Sequence, residues 1–186
     1  MNLEKFTERS CGLLQAAQTI AQREDHQRLL PIHLLKALLD DEEGLASNLI
    51  SNAGGDAQQV LALTSAELAK MPSVSGDGSQ LYMDNQTNKV LIEAEKVAKK
   101  AGDSFVPVER ILTALAMVKS KAREALDAGG VSAQKLNAAI NDIRKGRTAD
   151  SASAENGYDA LKKYAHDLTA AAQEGKIDPI IGRDEE

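Results

Sequence analysis

The sequence predicts an all-α fold of two pseudo-symmetric four-helix repeats, followed by a flexible linker and one further helix. Three observations predict it. First, Leu34-Leu35-Lys36-Ala37-Leu38 returns 77 residues later as Ile111-Leu112-Thr113-Ala114-Leu115. At the same offset Thr7 faces Asp84, Leu13-Leu14 faces Val90-Leu91, Ala17 faces Ala94, Ile20 faces Val97 and Ala21 faces Ala98. Beyond this echo the offset slips: Ala53-Gly54-Gly55 meets Ala128-Gly129-Gly130, and Ala57-Gln58-Gln59-Val60 meets Ala133-Gln134-Lys135-Leu136. A duplicated unit of this length points to a repeat architecture. Second, the chain is 42% apolar but only 3% aromatic, without tryptophan, and rich in residues of good helix propensity. Third, apolar residues recur at helical spacing between recognisable caps and stops.

The first repeat runs from about residue 4 to 70. Thr7 is the expected N-cap of its first helix, with Phe6 and Cys11 placed as a hydrophobic staple. Leu13, Leu14, Ala17, Ile20 and Ala21 form one helical face, and the polar run Arg23 to Gln27 ends it. Pro31 suits the first turn of the second helix, where its missing N–H removes no bond. Residues 32–39 are apolar on most sides, as befits a helix central to a bundle. A short helix follows over residues 45–51, stopped by Gly54-Gly55, and Asp56 caps a fourth that reaches about Lys70. Pro72, Gly76 and Gly78 mark a connecting loop.

The second repeat, about 84–145, follows the same plan. Asp84 caps a helix carrying Val90, Leu91, Ala94, Val97, Ala98 and Ala101 on one face, and Gly102 ends it. The turn Asp103-Ser104-Phe105-Val106-Pro107 leads into the second central helix near Val108. A short helix over 122–128 stops at Gly129-Gly130, and Ser132 caps a last helix whose apolar face includes Leu136, Ala139, Ile140 and Ile143. Residues 1–145 thus form one expected domain. Residues 146–157 contain no large apolar side chain to offset the entropy of ordering, so a linker is expected there. Helical spacing resumes at residues 158–173 through Leu161, Tyr164, Ala165, Leu168 and Ala172. The tail ends in adjacent Ile180 and Ile181 among charged residues, so a further domain is expected beyond residue 186.

Several function classes are disfavoured. The formal net charge is −6 and no Lys/Arg cluster stands out, which argues against nucleic acid. A lone cysteine, Cys11, fits a reducing cytoplasm and a packed structural role. The absence of a signal core or a run of about 20 apolar residues argues against a membrane partner. No Gly-x-x-x-x-Gly-Lys-Ser/Thr stretch is present to cradle a triphosphate. His26, His33 and His166 lie far apart in sequence with no ligand partner at metal-site spacing, and His33 reads as a hydrogen-bonded core residue. No catalytic constellation assembles, so no enzyme activity, metal or cofactor is expected of these residues. Two carboxylates, Asp103 and Glu109, flank the Phe105 turn. One reading has them supporting a turn and a helix N-terminus; the other makes them a polar rim beside Phe105 for a peptide. The Val90, Leu91 and Val97 stripe has the same two readings, core or groove.

The duplicated unit that begins Phe6-Thr7-Glu8-Arg9 resembles the N-terminal domain of the Clp chaperone ATPases. The segment Leu161-Lys162-Lys163-Tyr164-Ala165-His166-Asp167-Leu168-Thr169, continuing from Gly175-Lys176-Ile177-Asp178-Pro179-Ile180-Ile181 to Gly182-Arg183-Asp184-Glu185-Glu186, resembles the entry to the first AAA+ module of that family. The form with Tyr164 and the Gly-Arg-Asp-Glu-Glu ending favour the disaggregase branch over the protease-associated branch. The resemblance implies a domain that binds unfolded or aggregated proteins and delivers them to a hexameric AAA+ ring working with the DnaK chaperone system. It implies ATP and Mg²⁺ for the longer protein, with residues 178–182 beside the adenine, and a monomeric fragment without measurable ATP binding. It also implies that Thr7, Asp103 and Glu109 handle substrate. The family's apolar groove falls on Glu93, Val97 and Arg110, of which only Val97 is apolar here; Leu91, Phe105 and Ile111 are the alternative surface. The competing reading is an adaptor-docking domain of a protease-associated relative, and a third is a helical spacer without ligands.

Overall fold

The computed structural model describes residues 3–73, 81–145 and 148–149. All belong to the first of the two units into which the chain divides, Met1–Ala154. The helix expected over 158–173, and all but two residues of the linker expected over 146–157, lie outside the described residues.

Eight α-helices are found among the described residues, in two sets of four. The first set is α1 (Glu8–Arg23), α2 (Pro31–Leu39), α3 (Leu45–Asn52) and α4 (Ala57–Lys70); the second is α5 (Asn85–Lys100), α6 (Val108–Leu115), α7 (Lys121–Ala128) and α8 (Ala133–Arg144). The expected caps are in place. Thr7 accepts from the Ser10 N–H, Asp56 from Gln59, Asp84 from Gln86 and Ser132 from Lys135. Pro31 opens α2. The echoed central helices are the buried heart of each repeat: Leu34, Leu35, Ile111, Leu112, Ala114 and Leu115 are all fully enclosed.

Helix stops are more uniform than the sequence suggests. α1 ends with Asp25 at positive φ and a His26 N–H to Ala21 O bond of 2.9 Å; α5 ends with Gly102 at positive φ and an Asp103 N–H to Ala98 O bond of 2.8 Å. These are matching left-handed caps, with aspartate standing where its copy has glycine. α3 and α7 end the same way at Gly54 and Gly130, both at positive φ. Gly54 therefore pairs with Gly130, and the glycine doublets are out of step by one residue from their sequence alignment. The remaining members of the doublets serve close approach. Asp56 N–H bonds to Gly129 O at 2.9 Å, and a side chain at Gly129 would collide with Val60, or at Gly55 with Val131.

The two repeats are interlocked by short parallel pairings absent from the all-α expectation. Strand β1 (Arg28–Leu29), between α1 and α2, pairs with β2 (Tyr82–Met83), which precedes α5. Phe6, which precedes α1, bridges Val106, between α5 and α6. At the repeat offset these are the same contact made twice. Each repeat lends its entry segment to the other's first inter-helix turn. The supporting bonds are duplicated too: Thr7 N–H to Val106 O and Asp84 N–H to Leu29 O, both 3.1 Å; Ser10 Oγ to Val106 O at 2.8 Å and Thr87 Oγ1 to Leu29 O at 2.6 Å. α1 packs on α2 and α5 on α6 within repeats, whereas α4 packs on α7 and α3 on α8 between them, closing one continuous core.

Candidate functional site

The second repeat gathers four charges into a buried network. Asp103, on the turn after α5, accepts from Arg110 Nε at 3.0 Å through one oxygen and from Arg144 at 2.6 Å through the other. Arg144, the last residue of α8, also donates to Glu109 at 3.2 Å, and Arg110 reaches Asn137 at 3.2 Å. The side chains of Asp103 and Glu109 are 0% and 3% exposed. Two acids against two arginines balance, which is what permits their burial. Burial opposes ionisation of Asp103, but hydrogen bonds from Arg144, the Ala149 N–H and Arg110 together hold its carboxyl below the usual carboxylate range. Asp103 also fastens the chain leaving α8. It accepts the Ala149 N–H at 2.9 Å, while Ala149 O accepts from the Ser104 and Phe105 N–H groups, both at 2.9 Å. Ala149, expected within the linker, is thus held through its backbone N–H and C=O, and its side chain is buried.

The first repeat holds a histidine pair at the corresponding place. At the repeat offset Asp103 corresponds to His26 and Arg110 to His33, and these histidines, seven residues apart, meet with His26 Nδ1 2.9 Å from His33 Nε2. The Leu30 N–H donates to His33 Nδ1 at 2.9 Å, which puts the His33 proton on Nε2, aimed at His26. Burial, with the neighbouring His26 adding to it, lowers the His33 pKa to about 4, so the ring is neutral.

Of the residues expected to bind substrate, Thr7, Asp103, Phe105 and Glu109 gather at one turn: Thr7 donates its N–H to Val106 O, next to Phe105, and Arg144 joins Asp103 to Glu109. Thr7 is fully buried, its hydroxyl shared with Ser10 in the α1 cap. Asp103 and Glu109 form the network just described. Leu91 and Ile111 are fully enclosed in the core and supply no groove surface. Arg110, also enclosed, cannot stand in for an apolar groove residue. Val97 and Phe105 are half-buried. Asp103 and Glu109 therefore present no carboxylate edge to a ligand in this arrangement; they position the turn that carries Phe105.

The open site lies elsewhere. A cleft of about 630 Å³ runs between α1 and the corner joining α2 to α3. Its floor includes Leu13, Ile20, Leu38 and Leu45, and its walls are Gly12 and Ala16 on one side and Asp41 and Glu42 on the other. Arg9 and Glu43 form an ion pair across one end. The sequence marks this place by small residues on an exposed helix face and by four consecutive acids, Asp40 to Glu43. Neither signal resembles a catalytic or metal motif.

Two interlocked four-helix repeats around one core, with a recessed apolar cleft on one of them, define a duplicated helical domain. The chain belongs to the Clp repeat N-terminal domain family, whose model matches residues 5–129. It is 60% identical, over its whole length, to the chaperone protein ClpB of Rhodopseudomonas palustris, of which it covers 21%. Against ClpB of Mesorhizobium japonicum the identity is 57%, with 22% of the relative covered. The chain thus spans about a fifth of the length of the curated relatives it matches. Among solved structures, the N-terminal domain of Hsp104 from Candida albicans superposes with a TM-score of 0.72 at 23% identity, covering 81% of this chain and 99% of that one. That likeness concerns the fold.

Proposed function

We propose that this chain is the substrate-receiving N-terminal module of a ClpB-type disaggregase, binding unfolded or aggregated polypeptide and handing it to a hexameric AAA+ ring. The observation that carries the reading is the open, apolar-floored cleft on a domain identical at 60% of its positions to the corresponding part of a ClpB chaperone. A recess with an apolar floor and a polar edge suits side chains that a folded protein would hide. Affinity is expected to be weak, because each buried apolar side chain contributes only about 1.5–3 kcal/mol before ordering costs.

ATP, Mg²⁺, hexamer formation and cooperation with DnaK belong, in this reading, to the longer protein. The present sequence holds no P-loop, and no step of nucleotide chemistry is assigned to its residues. Among the described residues no helix is long and apolar enough to cross a membrane. The test is a titration of the 186-residue chain with a permanently unfolded protein, such as denatured casein, followed by fluorescence anisotropy. Saturable, weak binding that a natively folded protein does not compete away is expected. No binding, or equal binding to folded competitors, overturns the reading in favour of a spacer or an adaptor-docking domain.

A further inference from the structure

We propose that the α1 cleft of the first repeat is the seat for polypeptide, and that it takes apolar segments flanked by lysine or arginine. This rests on the recognition reading above and adds the site and the class of segment.

The first argument is the broken symmetry of the repeats. The exposed α1 face at the cleft is Gly12, Ala16 and Thr19; at the repeat offset α5 carries Lys89, Glu93 and Lys96. Long charged side chains stand on α5 where α1 has small ones. The corners differ in the same way. Asp40-Asp41-Glu42-Glu43-Gly44 joins α2 to α3, whereas Ala116-Met117-Val118-Lys119-Ser120 joins α6 to α7. The cleft opens where the first copy has small residues and acids and the second copy has other side chains.

The second argument is Gly12. Glycine inside a helix lowers its stability, and a close approach or a left-handed backbone normally explains it. Neither applies here: a Cβ on Gly12 would meet nothing within 4 Å, and its φ is not positive. The space that Cβ would take is the cleft itself.

The third argument is charge. Glu43 is matched by Arg9, and Asp40 by Lys36 at 2.6 Å. Asp41 and Glu42 are exposed along the edge of a cleft that Arg23 also lines, in a chain whose net charge is −6 over all 186 residues. A segment whose apolar side chains enter the cleft brings its flanking residues to this edge, where a cation is attracted and an anion repelled.

The experiment records amide NMR shifts of the 186-residue chain against two short peptides of leucine and phenylalanine, one flanked by lysines and one by glutamates. The lysine-flanked peptide should shift Gly12, Ala16, Asp41 and Leu45. It should bind about fivefold more tightly than its partner at low salt, with the gap closing as salt rises. Gly12→Leu should abolish these shifts, and the surface variant Asp41→Lys/Glu42→Lys should weaken lysine-flanked binding about fivefold, both with native circular dichroism. Shifts confined to Val97 and Phe105 while casein still binds overturn the cleft but leave the recognition reading standing. Loss of casein binding as well removes both. Equal affinity for the two peptides overturns the charge class. Shifts at the same amides on diluting the protein alone identify the occupant as a second copy and overturn the proposal.

Discussion

At the scale of single residues, the contest over Asp103 is decided by what its oxygens touch. A surface contact residue can be truncated with little loss of stability. Asp103 instead balances two enclosed arginines and holds the Ala149 N–H. Asp103→Ala is expected to destabilise the domain by about 3–5 kcal/mol, because it leaves Arg110 and Arg144 buried against Glu109 alone. Denaturant melts check this; a change below about 0.5 kcal/mol, the range of ordinary surface substitutions, contradicts the buried-network account. The His26–His33 pair gives a second prediction. His33 is neutral in the fold with a pKa near 4, while the unfolded chain takes up its proton near pH 6.5. Between those values the unfolded state binds more protons. Stability is therefore complete above pH 6.5 and declines as pH falls toward 4, by no more than about 1.4 kcal/mol per pH unit for this one proton. The Asp103 contribution is lost only at lower pH, since its carboxyl is depressed. The midpoint of thermal unfolding should fall between pH 7 and pH 5, with a shallower slope in His33→Gln. An unchanged slope would show that His33 titrates in the fold as it does in the unfolded chain.

At the scale of elements, helices were legible and their interlocking was not. Thr7, Asp56, Asp84 and Ser132 announce their helices because a cap is a local event, a side-chain oxygen reaching an N–H two or three residues on. The left-handed stop at Asp25 was hidden because aspartate takes a conformation that Gly102 advertises openly in the second copy. The pairings of Arg28–Leu29 with Tyr82–Met83 and of Phe6 with Val106 left no periodic signal, being only one or two residues long. The site was less legible still. Asp103 and Glu109 attracted notice as carboxylates beside an aromatic turn, yet the arginines that bury them, Arg110 and Arg144, are separated from Asp103 by 7 and 41 residues. Charge partners at such separations are brought together by tertiary packing alone. The broken symmetry between the copies was visible in sequence, but its meaning depended on exposure. Asp103, Glu109 and Arg110 of the second copy are internal, and the small residues Gly12 and Ala16 of the first are open.

At the scale of the whole molecule, duplication has produced one folding unit rather than two. Each repeat's entry segment pairs with the other's inter-helix turn, and α3 and α4 find their packing partners in α8 and α7. Gly129 lies against Val60, and Asp56 donates its N–H to Gly129 O, so even the helix corners cross from one repeat to the other. A separated repeat loses these contacts together. It would expose Val60, Leu49 and Ile50, each fully buried in the intact domain, and would keep helices of 8 to 16 residues that are marginal alone. Residues 1–75 made alone should therefore show little cooperative unfolding, or self-associate so that one copy serves as the missing repeat. Adding residues 81–149 as a second chain should restore helical circular dichroism and a single cooperative melt. The check is a melting curve joined to sedimentation. A monomeric first repeat that unfolds cooperatively on its own would mean that the exchanged segments decorate two independent domains, and the shared core would not be what stabilises them.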